Sequence, residues 1–150
     1  MYSKRIRFED YNGVQHEQTF QFNMTETELT KMQYSPEGNF QDYVQKLVET
    51  KNEGEIINLI EKFVVMSYGE KSTDGQRFIK VAPDGHKLGQ DFIQTEAYNV
   101  LFMELATNAD AAIEFITGIM PAKVRGQITP QQISDLKKGT VDVASLPEKN

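Results

Sequence analysis

Two histidines, at positions 16 and 86, are the only side chains in this 150-residue chain with an ordinary pKa near neutrality. Each has an acidic residue close in sequence, Glu17 and Asp84. Neither spacing makes a metal site, so they read as a strand-face histidine and a loop histidine. The stretch GEKS at 69–72 looks like the end of a phosphate loop, but the upstream glycine is missing and Glu70 stands where a glycine must precede the lysine. Asn23-Met24-Thr25 fits a glycosylation sequon, which has meaning only in a secreted chain. Asp74-Gly75 and Asp84-Gly85 lack the alternating carboxylates of a calcium loop and read as turns. Met66, Met103 and Met120 read as adaptable fillers of apolar space. There is no cysteine, so disulfides, thiolate nucleophiles and thiolate-held metals are excluded. No catalytic, cofactor-binding or metal-binding set emerges, and the expectation is a protein that is not an enzyme.

Charge narrows the partner class. Residues 1–121 carry 11 Lys and Arg against 19 Asp and Glu, a balance of −8, whereas residues 122–150 carry 5 against 3, a balance of +2. An acidic body is a poor match for a phosphate backbone, which needs clustered cations. The opening MYSKRIRFEDYNG has no apolar stretch of the secretory kind. No run approaches the roughly 20 apolar residues that span a bilayer. The expectation is a soluble intracellular domain that binds neither nucleic acid nor membrane.

The elements follow from pattern. Residues 4–9 and 14–22 alternate on either side of Asn12-Gly13, which predicts a β-hairpin with Ile6, Phe8, Phe20 and Phe22 facing a core. Thr25-Glu-Thr-Glu28 is a capping box that predicts a short helix with Leu29 and Met32 inward, ending before Ser35-Pro36. A second helix is predicted over 39–50, with Phe40, Tyr43, Val44, Leu47 and Val48 on one side. A third starts at 52 or 53, buries Ile56, Ile60, Phe63 and Val64, and ends near Tyr68-Gly69, with the glycine as its cap. Residues 69–90 read as irregular, with 77–80 a short extended or helical anchor and 88–93 a helical turn. Thr95 caps a helix to about Ala106, and Thr107-Asn108 caps another to about Gly118.

The last two helices raise a question of their own. Between 98 and 105 the only plainly polar residues are Asn99 and Glu104. A helix apolar nearly all round is either central to a core or shared with a partner. If Leu101 and Leu105 face inward, Phe102 points to an edge and Met103 lies another 100° round the helix. The candidate partner-binding residues are therefore Tyr98, Leu101, Phe102, Met103, Leu105, Ile116 and Met120. After Pro121 the apolar residues are isolated. Thr129-Pro130 followed by QQISDLKK has the pattern of one short helix. The fold class expected is α+β, mainly α: a compact helical domain over 1–121 with an N-terminal β-hairpin, then a flexible or loosely docked tail over 122–150.

The order of these pieces carries a resemblance. FNMTETELTKM follows a hairpin, and SYGEKS, DG and RFIK follow one another within 67–80. The stretch 94–121 then runs through QTEAY, LFMEL, NADAA and a final GI and Pro. Over about residues 3–121 this resembles the tail assembly chaperones of long-tailed bacteriophages and related prophages of Gram-positive bacteria. The resemblance implies a protein without catalysis or cofactor, made in the host bacterial cytoplasm. It implies binding of the long helical tape measure protein, which stays soluble until the tail tube protein polymerises around it. It also implies absence from the mature virion, and leaves homo-oligomerisation open. The other reading is a structural virion component, such as a tail-completion or head–tail joining protein.

Isolated apolar residues bury little, so the tail adds little to stability. Truncation after Pro121 is expected to lower the melting temperature by less than about 5 °C, roughly 1 kcal/mol for a domain of this size. Differential scanning calorimetry of the two chains checks it.

Overall fold

The computed structural model describes residues 1–34, 42, 45, 46, 49 and 53–121. Their elements are β1 (Tyr2–Glu9), β2 (Gln15–Phe22), α1 (Glu26–Gln33), α2 (Glu53–Ser67), β3 (Tyr68–Lys71), β4 (Phe78–Ile79), α3 (Leu88–Phe92), α4 (Glu96–Thr107) and α5 (Ala109–Ile119). Of the helix predicted over 39–50, residues 42, 45, 46 and 49 are described and are helical; its other residues and the tail over 122–150 lie outside the described residues. The strands form one antiparallel sheet in the order β1-β2-β3-β4.

The hairpin stands where alternation placed it, with Phe8 opposite His16 and Tyr2 opposite Phe22. Its loop has three residues, Tyr11, Asn12 and Gly13, closed by the Asp10 N–H on the Val14 carbonyl at 2.9 Å. Gly13 takes φ +79°, where a side chain is strained. Asp10 shapes the loop by accepting from the N–H groups of Asn12 and Val14, at 2.8 and 2.9 Å. Tyr2, Ile6, Phe8, Phe20 and Phe22 turn toward the core, and Arg5, Arg7 and Glu17 form ion pairs on the outer face.

The capping box at Thr25 forms: the Glu28 N–H donates to Thr25 Oγ1 at 3.1 Å, and the Thr25 N–H donates to Glu28 Oε1 at 2.9 Å. The helix starts predicted at Thr95 and Asn108 also hold; their side chains accept from Tyr98 and Ala111. The end of α2 differs. Gly69 is not a cap, because the chain passes from helix at Ser67 to strand at Tyr68 with no linker. The last carbonyls of α2 are met from far away in sequence: Ser67 by the Asn23 N–H at 2.8 Å, and Met66 by Lys80 Nζ at 3.0 Å. The next N–H, that of Met24, meets the Ile119 carbonyl at the end of α5 at 2.7 Å. Gly69 has a different use. A Cβ there would lie 2.5 Å from the Phe78 ring and 2.9 Å from the Ile79 carbonyl, so glycine lets β4 pair with β3.

Lys80 closes this corner. Its ammonium donates to the Asn23 carbonyl at 2.5 Å and to both oxygens of Glu28 at 2.7 and 2.8 Å, besides Met66. The core beside it is aromatic. Phe92 stacks on Tyr68 at 4.5 Å, and Phe22 meets Phe92, Tyr68 and Phe115 edge-on at 5.5–5.6 Å. α3 reaches this core because Gly89 has no Cβ; one would sit 2.2 Å from the Val65 carbonyl oxygen. α4 and α5 pack on β1, and α4 also packs on α2, where the Tyr98 hydroxyl donates to Glu61 at 3.2 Å.

The class is α+β, with about half helix, N-terminal antiparallel strands and a four-stranded sheet. "Mainly α" overstates it. The stretch at 69–90 read as irregular contributes β3 and β4, which are too short to show a period of two.

Burial acts on titration here. It pushes the Tyr2 phenol from its ordinary 10.0 to about 12, with Glu104 and Glu114 adding to the effect. Burial also pushes Tyr68 and Tyr98 up, helped by Glu70 and Asp91 and by Glu61. These three stay protonated in the fold while the unfolded chain ionises, so their stabilisation is full below pH 10 and falls as pH rises above it. Lys80 has the opposite sign: burial pushes it down, with Glu28 pulling partly back, so stability rises with pH just below its ordinary value. Three groups oppose one. Urea midpoints are expected to fall steadily above about pH 10, with the share of the tyrosinate absorbance that belongs to Tyr2, Tyr68 and Tyr98 appearing only as the chain unfolds.

A candidate partner-binding surface

The polar groups are used for structure. His16 stacks on Phe8 at 5.0 Å, and its Nε2 meets Asp10 Oδ2 at 2.6 Å, which fixes the hairpin loop. His86 meets Asp84 through Nδ1 and Asp91 Oδ2 through Nε2, the latter at 2.6 Å. These two carboxylates, Asp84 first, raise its pKa. The pair ties the 81–87 turn to α3. Among the described residues, no group of three His, Cys, Asp or Glu side chains is placed to hold a metal ion. The strands β2 and β3 part beyond Gln21 and Gly69, leaving an open cleft bordered by Gln18, Phe20, Glu70 and Lys71, without a paired nucleophile and base.

Apolar side chains left in water are the remaining feature. Seven large ones are exposed among the described residues, and four of these belong to the hairpin tip and α4. Val100 is 43% exposed and Met103 50%, one turn apart on the face of α4 turned from the core. Tyr11, 74% exposed, and Val14, 52%, sit at the hairpin tip. The Tyr11 hydroxyl bonds to Glu96 of α4, which raises its pKa, while Asn99 beside it acts the other way; the contacts join the tip to that helix. Glu96 and Glu104 flank Val100 on its own helix. Glu104 accepts from Lys4 at 2.7 Å, and Glu96 accepts from Asn99 at 3.1 Å.

The residues singled out in the sequence divide. Leu101, Leu105, Ile116 and Met120 are buried in the core, and Tyr98 nearly so, with its ring 5.7 Å from Phe102. Phe102 is half-buried at the edge, and Met103 is open to solvent. The physical reason is that α4 has neighbours on most sides: β1, α2 and α5. What it offers a partner in this chain is Met103 with the shoulder of Phe102. Val100, Tyr11 and Val14 complete the patch and were missed. Val100 lay inside an apolar run with no mark of its own, and Tyr11 and Val14 flanked a turn signal that accounted for them too readily.

A family model described as phage tail assembly chaperone matches residues 1–149. The chain belongs to that family. No curated protein and no solved structure matches it significantly. Membership of a tail assembly chaperone family gives it a role in tail assembly and implies tail proteins in general as its partners. Among the described residues no helix is long and apolar enough to cross a membrane. Exposed apolar patches are where proteins meet partners. The hairpin tip and α4 have such surface.

Core and patch separate by stability. Met103→Ser is expected to change unfolding free energy by no more than about 0.5 kcal/mol, as for an open surface site. Leu101→Ser is expected to cost on the order of 3 kcal/mol or more, from the cavity and the buried hydroxyl together. Urea titrations of the two variants check it.

Proposed function

We propose that this chain binds the tape measure protein during tail assembly in the host bacterial cytoplasm. It keeps that protein soluble and supports polymerisation of the tail tube protein around it. The observation that carries the reading is the Val100–Met103 face with Tyr11 and Val14 at the hairpin tip: apolar side chains outside the core of an acidic chain. A long apolar-rich helical protein presents stripes at i, i+3 and i+4, and a helix face edged by a hairpin tip is a seat for such a stripe. Met103 suits it because a thioether side chain adapts to varied partners. Phe102 forms the shoulder. Tyr98, Leu101, Leu105, Ile116 and Met120 act from beneath, by holding α4 in place. No nucleotide-binding motif is present in the sequence, so release is by competition as the tube protein polymerises.

The test is co-expression with the tape measure protein of the same phage. The wild-type chain is expected to hold it in the supernatant, and the double substitution Val100→Ser with Met103→Ser to lose most of that effect while keeping a native melting curve. Mass spectrometry of purified virions is expected to find none of the chain. A fixed stoichiometry in particles would make it a structural component instead.

A further inference from the structure

The outward face of α4 holds a carboxylate that the described part of the chain does not neutralise. Glu96, Asn99, Val100 and Met103 stand at i, i+3, i+4 and i+7, so they form one stripe. From Leu88 to Pro121 there are five acidic residues, Asp91, Glu96, Glu104, Asp110 and Glu114, and no Lys or Arg. Glu104, one turn beyond Val100, takes the ammonium of Lys4 at 2.7 Å. Glu96 has no such cation among the described residues. It accepts from the neutral Asn99 amide at 3.1 Å and from the Tyr11 hydroxyl. Two donors, one on α4 and one at the hairpin tip, therefore orient it. Glu96 is half-buried, whereas Asn99, Val100 and Tyr11 around it are exposed.

A partner that covers Val100 also takes water from Glu96, one turn away. Two neutral hydrogen bonds do not offset that loss, because an ionised carboxylate out of water needs an opposite charge beside it. A neutral or acidic segment laid on the stripe is penalised, and a segment that brings a cation is not. The Tyr11 ring adds a second contact of the same kind. It is 74% exposed and its hydroxyl is tied to the carboxylate, so ring and carboxylate present a π-face and a negative charge to one cation. A planar guanidinium uses both at once, by stacking and by pairing with the two carboxylate oxygens.

We propose that the α4 face selects a helical segment carrying an arginine or lysine beside its apolar stripe, and that Glu96 with Tyr11 is the site that reads this cation. The proposal rests on the reading of that face as the docking surface and adds the chemistry its partner must have. Val100 and Met103 supply apolar contact, and Glu96 supplies discrimination. Glu96 lies about 6 Å along the helix from Val100 and about 10 Å from Met103. The cation of the partner therefore stands one or two helical turns from the apolar residues that cover those two side chains.

The test uses the full chain purified in complex with the tape measure protein of the same phage. Glu96→Gln keeps an acceptor for Asn99 and Tyr11 and removes only the charge. It is expected to leave the melting curve of the free chain unchanged, to weaken the complex about tenfold at low salt, and to flatten its salt dependence between about 0.05 and 0.5 M. Glu96→Lys is expected to abolish the complex. Glu114→Gln, which removes an exposed charge from α5, is expected to do none of these. A photo-reactive phenylalanine analogue in place of Val14 is expected to cross-link to tape measure peptides with a Lys or Arg within about two helical turns of the attachment point. Wild-type affinity and salt dependence for Glu96→Gln overturn the proposal, as do cross-links confined to segments without a cation. An equal loss for Glu114→Gln assigns the effect to net charge and overturns it too. If Val100→Ser with Met103→Ser loses the tape measure protein while Glu96→Gln does not, the docking surface stands and only the reading of the cation is wrong. If neither variant weakens the complex, both fail and the partner site lies elsewhere.

Discussion

A cation removed from most of its water must be surrounded by acceptors, and Lys80 is the point at which this constraint organises the fold. Only 17% of its side chain remains exposed. Its ammonium needs the Glu28 carboxylate and the carbonyls of Asn23 and Met66, which come from α1, the segment after β2, and the end of α2. Taking away one partner of such a group leaves a buried charge uncompensated, a larger penalty than the pair's net contribution. Four segments distant in sequence are therefore held in one arrangement. The same corner ends α2 on the Asn23 N–H and α5 on the Met24 N–H, so both helix C-termini are satisfied by consecutive residues of one strand exit.

From that corner the aromatic core follows. Phe22 is the residue before Asn23, and its ring meets Tyr68, Phe92 and Phe115, one from each of β3, α3 and α5. These rings fix where α3 lies, and the missing Cβ of Gly89 lets it come close to α2. α4 then has three neighbours, and only the arc from Glu96 through Asn99, Val100 and Met103 is left outward. The candidate docking face is thus a residue of packing: what the core does not cover. It is also rigid, because the helix beneath it is bolted to α2 through Tyr98 and Glu61 and to β1 through Glu104 and Lys4. A rigid apolar surface on a charged body can bind another protein without loss of its own solubility.

The two histidines, each held by aspartates, illustrate how titratable residues serve local structure: one shapes a hairpin loop and the other clamps a turn to α3.

The sequence by itself determined the pieces whose causes are local. Alternation and a turn signal gave the hairpin, Thr25 and Glu28 gave the start of α1, and Thr95 and Asn108 gave the starts of α4 and α5, because hydrogen bonds within four residues decide each of them. The composite of motifs from Phe22 to Pro121 was also enough to place the chain in its family. Tertiary structure decided what depends on distant partners. Tyr68–Lys71 is a strand because β2 and β4 supply its hydrogen bonds, not because four residues show a period. Gly69 looked like a helix cap, yet Asn23 and Lys80 cap that helix across more than 40 and 10 residues of chain, respectively. Which apolar residues of α4 are core and which are surface was equally out of reach. Leu101 and Val100 are both aliphatic; the positions of β1, α2 and α5 decide which of them is removed from water.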